Sequence, residues 1–312
     1  MRGCKPHIAG VDRGNPALAC EREDLNVLPF VLRFAHTPKR RLPLPRRAPI
    51  SDNKERAVTQ QSEPQSEPPV SEPIFNLPFA VVATVAVLVL VHAFRAFVLT
   101  DDQDIAFLYT FAFIPARYSA DSAFPGGFGA DLWTFFTYAF IHADLMHLGL
   151  NLAWLIPFGT ALARRLRTWR YCIFMLVVAA LGALTHLVTN FGAMEPMIGA
   201  SAAISGAMAA AMRFVFQPNG PLARWREHTD EAYQVPAASL AATLRDPRFL
   251  LFLVVWLGLN ALFGLGTVSF GTEAGQAIAW QAHVGGFFAG LLLFNFFDPV
   301  LPRSELDTEP SA

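Results

Sequence analysis

Cysteine is scarce in this chain, which has only Cys4, Cys20 and Cys172 in 312 residues. The number is odd and the spacing fits no zinc-ligand pattern, so neither a disulfide framework nor a zinc site is indicated. His142 and His147 do not change this, because they lie five residues apart with no glutamate between them, unlike the His-x-x-x-His pattern of zinc proteases. We therefore expect no metal ion and no other cofactor.

Charge is also scarce. Charged residues make up 16% of the chain and hydrophobic residues 53%, whereas soluble domains average about 25% and 45–50%. The formal net charge of −1 gives no basic field for nucleic acid, so we expect no nucleic-acid partner. The apolar residues come in blocks, several of them near the roughly 20 residues that a membrane span needs. This pattern predicts an all-α, polytopic membrane protein embedded in a lipid bilayer.

The N-terminal segment has a different composition. It holds 11 of the 23 prolines and a Ser-Glu-Pro-rich run at 62–73. Such a sequence cannot bury enough apolar surface to offset its chain entropy, so we expect a disordered tail over 1–74. A membrane domain would follow over 75–300, and a short C-terminal tail over 301–312.

Six apolar segments are candidate helices, because a spanning segment must bond its own backbone groups and none of these runs alternates with the period of a strand. They are Leu77–Leu99, His147–Ala163, Tyr171–Thr189, Met197–Phe214, Phe249–Phe263 and Gln276–Phe297.

The basic residues predict the orientation of these helices. Cytoplasmic loops are enriched in Lys and Arg. With both termini in the cytoplasm, all of the 24 basic residues except Arg95 and Arg117 lie on the inner side. The arginines of 164–170 then act as topology signals and contact lipid headgroups. We expect both termini to be cytoplasmic, in the inner (plasma) membrane of a bacterium.

Strongly polar residues inside spans are costly and usually functional. His147 and Asn151 are four residues apart, so they share one helical face near the outer end of the second span. Their side chains can both donate hydrogen bonds, and a donor pair of this kind can stabilise an oxyanion. The alternative is a structural role, in which both side chains bond across a helix–helix interface.

Ser201 lies in a run of small residues over 199–211, where the fourth span begins. A serine in such a run is often a packing hydroxyl whose bonds are satisfied within the helix. However, Ser201 would lie in the first helical turn, where free N–H groups and the helix dipole favour a developing anion.

His283 begins the segment His-Val-Gly-Gly-Phe-Phe-Ala-Gly in the sixth span. Gly286 and Gly290 form a Gly-x-x-x-Gly face that His283 shares, and the small residues of the fourth helix are its expected neighbour. The alternative is a histidine that lines a water cavity or a proton path.

The four polar residues are predicted to lie at a similar depth in the membrane. Counted from the expected helix starts at 1.5 Å per residue, Ser201 and His283 would lie about 6–10 Å below the outer helix ends. His147 and Asn151 would lie near the same level. The sequence thus predicts that these four side chains meet just below the outer membrane surface.

The same residues form three motifs that resemble those of the rhomboid family of intramembrane serine proteases. The motifs are His142-x4-His147-x3-Asn151, then Gly199-Ala-Ser201-Ala202, then Ala282-His283-Val-Gly285-Gly286. The resemblance covers roughly 75–300 and implies a six-helix bundle. It further implies that Ser201 is the nucleophile, that His283 is the general base, and that His147, Asn151 and the Ser201 amide are oxyanion donors. His142 matches the first motif position in a supporting role.

Three positions depart from the family pattern. Ala202 replaces the second glycine of the serine motif, and Thr134 follows Trp133 where many members have arginine. Ser205 stands where some members have a tyrosine that stacks on the histidine. No carboxylate is placed to complete a triad, so we expect a Ser201–His283 dyad in which packing orients the imidazole.

The implied substrate is a protein with a single transmembrane span, cut near its outer membrane boundary. One alternative is a weakly active or inactive rhomboid-like protein that binds transmembrane segments, although such proteins typically lack the serine or the histidine. Another is a channel or transporter, which would favour an internal repeat that we do not find. The sequence predicts neither the oligomeric state nor a function for the loop over 217–248.

Overall fold

A computed structural model of the chain describes residues 76–119, 124–224, 229–264 and 279–300. The tails predicted over 1–74 and 301–312 lie outside these residues. Eight α-helices occur in the described ranges: α1 (Phe79–Phe97), α2 (Asp101–Phe111), α3 (Gly127–Thr137), α4 (Leu145–Thr189), α5 (Ser201–Ala211), α6 (Leu240–Thr243), α7 (Pro247–Gly264) and α8 (Trp280–Phe297).

The predicted helical class is therefore confirmed, and the six predicted segments correspond to α1, the two halves of α4, α5, α7 and α8. By length and composition alone, α1 and α4 qualify as membrane spans, and α5 and α7 are shorter apolar helices. The predicted second and third helices run together as α4, which is interrupted at Arg167, where φ is 64°. This non-helical residue divides α4 into two helical halves, 145–166 and 168–189.

Helix α5 lies between α4 and α8 at the centre of the bundle. Every residue over 202–211 is buried, which is possible because nearly all of these side chains are small. A Cβ atom on Gly286 of α8 would collide with the carbonyl of Ala202, and one on Gly290 would collide with the backbone of Gly206. The predicted contact between the glycine face and the fourth helix is thus confirmed. It allows the backbones of α8 and α5 to pack in close contact.

The predicted start of the fourth helix at Met197 is wrong, because α5 begins at Ser201. The preceding segment is extended and pairs with distant backbone instead. Met197 exchanges two hydrogen bonds with Phe113 (2.8 and 3.1 Å), and the Gly199 amide donates to the Tyr138 carbonyl (3.0 Å). This pairing fixes the segment that leads into Ser201.

Two helices that the sequence did not predict, α2 and α3, lie between the first and second spans. Arg95 of α1 forms a bidentate ion pair with Asp104 of α2 (2.7 and 2.8 Å) and also donates to the His142 carbonyl (2.8 Å). Trp133 of α3 donates to the carbonyl of Thr110 (3.0 Å). These bonds tie the first loop to the segment that enters α4.

Arginine side chains are buried at the opposite end of the bundle. Arg165 is completely buried and forms a bidentate pair with Asp298, which follows α8 (2.9 and 2.7 Å). Arg213, after α5, donates to the Ala238 carbonyl and to Asn295. The interpretation of all the arginines of 164–170 as headgroup contacts is therefore wrong for Arg165, whose charge is neutralised inside the protein.

Candidate active site

The side chains of Ser201 and His283 meet where α5 and α8 begin. Ser201 is the first residue of α5 and His283 lies in the first turn of α8. The Ser201 Oγ and the His283 Nε2 are 2.7 Å apart, and both residues are partly exposed. The close approach of the two helices, which Gly286 permits, brings the hydroxyl and the imidazole within hydrogen-bonding distance. This is the geometry that a nucleophile and its base require.

The approach to Ser201 depends on Gly199. Its φ of +116° lies in a region that residues with a side chain rarely adopt. A Cβ atom at this position would also lie 2.7 Å from the His147 Nε2. The chain therefore passes directly beneath the His147 ring just before it reaches Ser201.

The His147 ring has a defined hydrogen-bonding state. Its Nδ1 accepts a long hydrogen bond from the Ala143 amide (3.4 Å), and its own amide donates to Asp144, which caps α4 (2.7 Å). A neutral imidazole has one donor and one acceptor nitrogen. With Nδ1 accepting, the Nε2 above Gly199 carries the proton and can donate to a group bound beside Ser201.

Asn151 lies one turn after His147 and is buried. Its Nδ2 donates to the His147 carbonyl (2.9 Å). Its Oδ1 is buried and has no hydrogen-bond partner among the described residues. The structure thus places the Asn151 amide on the same face of α4 as His147, as the spacing predicted, with a bond within its own helix.

His142 is completely buried beside these residues. Its ring centroid lies 5.1 Å from that of His147, and its Nε2 accepts a long hydrogen bond from the Ala200 amide (3.5 Å). His142 therefore packs beneath the segment that precedes Ser201 rather than beside the Ser201 hydroxyl.

Sequence reasoning missed a further polar residue, Asn260 of α7. Its Oδ1 lies 2.7 Å from the His283 Nδ1, and its Nδ2 donates to the Trp256 carbonyl (2.8 Å). The expectation that packing alone orients the imidazole is therefore wrong. The criterion that singled out His147 and His283, a strongly polar side chain inside an apolar span, would also have found Asn260.

The positions that depart from the family pattern have identifiable contacts. Ser205 is buried and donates to the Ser201 carbonyl within α5 (2.7 Å). Thr134 is also buried, bonded to Ala130 and Tyr118. In the first loop, Arg117 donates to the Pro125 and Tyr109 carbonyls.

A cleft lies beside the site and includes Asn260 in its lining. This cleft of about 320 Å³ between α7 and α8 is lined by Leu257, Asn260, Ala261, Trp280 and Val284. Within the described ranges, no group of three or more His, Cys, Asp or Glu side chains could hold a metal ion. The site itself brings together the Ser201 hydroxyl, the His283 imidazole and the amide of Asn260.

The chain matches the model of a known protein family. A family model described as the rhomboid domain matches residues 129–297, just over half of the chain. This range begins in α3 and ends at the last residue of α8, so it includes every residue of the candidate site. No curated protein sequence matches the chain.

Proposed function

Because the chain belongs to the rhomboid family of integral membrane proteins, we propose that it is an intramembrane serine endopeptidase with Ser201 as nucleophile and His283 as general base. The observation that carries this proposal is the 2.7 Å distance between the Ser201 Oγ and the His283 Nε2. A serine hydroxyl is a weak nucleophile until a base accepts its proton. The pair has that arrangement already, before any substrate binds.

The reaction would begin with attack of the Ser201 Oγ on a peptide carbonyl carbon while its proton passes to His283. The C–O bond that forms leaves the former carbonyl oxygen negatively charged. His283 would then protonate the leaving amine as the peptide C–N bond breaks. Water, activated by the same imidazole, would hydrolyse the acyl-enzyme and regenerate Ser201.

Three donors surround the expected position of the oxyanion. The Ser201 amide is at the start of α5, where N–H groups have no partner in the helix and the dipole favours negative charge. The His147 Nε2 lies directly above Gly199. The Asn151 Nδ2 would exchange its bond to the His147 carbonyl for one to the substrate. The Ser201 amide and the His147 Nε2 need no such exchange, and donors that are already in position stabilise a transition state without reorganisation.

The two ends of the bundle support the proposed membrane orientation. Ser201 and His283 lie at the N-terminal ends of α5 and α8, whereas Arg213 and Asp298 lie beyond their C-terminal ends. The arginine-rich end would face the cytoplasm under the positive-inside rule. The site would then lie near the outer face of a bacterial inner membrane, with both termini inside.

This position limits the substrate. A protein with a single transmembrane span would present its scissile bond near the outer membrane boundary. Its helix must unwind there, because helical carbonyls are already bonded within the helix and are shielded by side chains. Small residues around the cut would ease both the unwinding and the fit beside α5.

The direct test is a fluorophosphonate probe, which reacts only with activated serines, combined with cleavage of a labelled transmembrane substrate. We expect the wild-type protein to be labelled and to cleave, and Ser201→Ala to do neither. Ser205→Ala is the matched control, because Ser205 lies one turn further along α5 and its hydroxyl donates to the Ser201 carbonyl within that helix. Equal cleavage by wild type and Ser201→Ala would refute the proposal. Absence of both reactions in the wild type would favour an inactive relative that binds transmembrane segments.

Reporter fusions test the orientation separately. A fluorescent protein fused after Ala312 should fluoresce, because it folds in the cytoplasm but not in the periplasm. Alkaline phosphatase at the same position should be inactive. The reverse result would place the C-terminus outside.

A further inference from the structure

A third side chain, that of Asn260, contacts the His283 ring at the nitrogen that does not face Ser201. Asn260 lies on α7 with only 9% of its surface exposed, and its Oδ1 is 2.7 Å from the His283 Nδ1. The three side chains therefore form a continuous line from Asn260 through the imidazole to the Ser201 hydroxyl.

The orientation of the Asn260 amide follows from its second bond. Its nitrogen donates to the Trp256 carbonyl one turn earlier in α7 (2.8 Å). Because a carbonyl can only accept, the atom that faces it must be Nδ2. The atom that faces His283 is then the oxygen Oδ1, which can only accept as well.

This bond determines which imidazole nitrogen carries the proton. Since Asn260 Oδ1 accepts, the neutral His283 must carry its proton on Nδ1, and Nε2 is left with a free lone pair. That lone pair faces the Ser201 Oγ at 2.7 Å. A base that is to accept the serine proton needs this tautomer, whereas the other one would point an N–H at the hydroxyl.

The placement of Asn260 is supported by aromatic packing between α7 and α8. The Trp256 ring stacks on Phe287 with centroids 4.4 Å apart, and Phe252 stacks on Phe287 from one turn earlier. Trp256 thus both accepts the Asn260 amide bond and holds α7 against α8. A neutral amide also avoids the desolvation penalty of a carboxylate buried at this point.

Asn260, rather than Ser205, orients the His283 ring. The Ser205 hydroxyl donates to the Ser201 carbonyl and provides no aromatic surface on which the imidazole could stack. Among the hydrogen bonds of the described residues, those that the His283 ring makes with Asn260 and Ser201 orient it.

We propose that Asn260 is a positioning residue that completes a Ser201–His283–Asn260 triad by fixing the His283 tautomer with Nε2 unprotonated. The proposal rests on the proposed function as a serine endopeptidase. In this role Asn260 acts on the reacting atoms only through the imidazole.

Steady-state cleavage of a labelled transmembrane substrate tests this role. Asn260→Leu removes the acceptor at similar volume and should lower kcat about 10–100-fold, part of the 10²–10⁴-fold that a positioned base contributes. KM should stay within about 2-fold, because the proposed role acts through the imidazole and contributes no bond to the substrate. Asn260→Asp restores an acceptor oxygen and should recover at least about a tenfold higher kcat than Asn260→Leu, since both Asn and Asp serve as the third residue of known triads.

Asn190→Leu is the matched control. Asn190 makes the same kind of bond within its helix, to the His186 carbonyl, and its Nδ2 also contacts the His186 ring (3.2 Å). It is an Asn–His pair at the end of α4 that makes no hydrogen bond to Ser201 or His283 in the described part of the chain, and its replacement should leave kcat within about 2-fold of the wild type.

A second readout does not depend on activity. In protein with ¹⁵N-labelled histidine, the NMR signals of His283, assigned by their loss in His283→Gln, should show a proton on Nδ1 in the wild type. In Asn260→Leu the ring should become a mixture of tautomers. A wild-type ring protonated on Nε2, or an Asn260→Leu variant with the wild-type tautomer and kcat, would overturn the proposal. If Asn260→Leu does not fold, the wild-type tautomer and the kcat of Asn260→Asp still decide.

The two proposals fail in different ways. Cleavage that survives Ser201→Ala removes the proposed function. Loss of cleavage in Ser201→Ala together with an unchanged kcat and tautomer in Asn260→Leu removes only the role of Asn260.

Discussion

Ala202 of α5 faces Gly182 of α4, so a methyl group on one helix fills the space that the missing side chain leaves on the other. A Cβ atom on Gly182 would lie 2.8 Å from the Ala202 Cβ and 2.9 Å from the Ala282 carbonyl oxygen. The alanine that replaces a family glycine beside Ser201 is therefore accommodated by a glycine on the neighbouring helix. The departure from the motif leaves the Ser201–His283 distance at 2.7 Å.

Gly182→Ala should consequently destabilise the bundle. Both contacts are shorter than packed atoms tolerate, and overpacking of this kind costs about 1–3 kcal/mol. Thermal unfolding in detergent should show a lower Tm. Gly149→Ala is the control on the same helix, because a Cβ atom there has no neighbour within 4 Å, and Ala is the better helix former. A Gly182→Ala variant as stable as Gly149→Ala would contradict this account of Ala202.

Gly199→Ala should reduce activity more than stability. The substitution strains the backbone at φ +116° and places a methyl group 2.7 Å from the His147 Nε2, so the ring or the Ser201 segment must move. Strain of this type costs about 1–3 kcal/mol, and displacement of an oxyanion donor lowers kcat by up to about 10²–10³-fold. Single-turnover cleavage measures the loss.

Gly192→Ala separates the two effects. Gly192 also has a positive φ of 80°, but a Cβ atom there has nothing within 4 Å. It should lose stability from strain while its kcat stays near that of the wild type. Equal losses of kcat in both variants would show that strain, rather than the position of His147, is responsible.

Much of this architecture could be read from the sequence because it depends on local periodicity and residue size. The apolar runs, the glycine face of α8 and the small residues of α5 can all be recognised in the sequence. Each of them indicates how its helix packs. The start of α5 could not be read in this way. Met197 is apolar and suits a helix, but its backbone pairs with Phe113, and that contact is set by the fold of the first loop.

The candidate site likewise combines features that the sequence predicts with contacts that it does not. The spacing of His147 and Asn151 fixes their common face within one helix. The contact of His283 with Asn260, by contrast, joins residues on two helices, and its geometry depends on how α7 packs against α8 through Trp256 and Phe287. The sequence could have marked Asn260 as a polar residue in an apolar span, but only the tertiary contact reveals its bond to His283.

Asn151→Ala should lower kcat about 10²–10³-fold with little change in KM, because an oxyanion donor acts mainly in the transition state. The residue is buried, but its Oδ1 has no partner in the described part of the chain and its Nδ2 bonds only within α4, so the folded state should lose little stability. Substrate titration and thermal unfolding together test this. A large fall in Tm with an unchanged kcat would instead assign Asn151 to helix packing.

The buried Arg165–Asp298 pair should be far more important to stability than the exposed pairs near it. Arg165 is completely buried and Asp298 nearly so, and Asp298→Ala would leave a guanidinium without its carboxylate among Phe214 and Phe294. Breaking a buried pair from one side costs about 3–5 kcal/mol.

Asp230→Ala is the matched control, since Asp230 also pairs with an arginine, Arg164, but 74% of its side chain is exposed. An exposed pair contributes only about 0–1 kcal/mol. Thermal unfolding should therefore show a large fall in Tm for Asp298→Ala and almost none for Asp230→Ala. Equal Tm values would mean that water or another cation-binding group reaches Arg165, which its burial argues against.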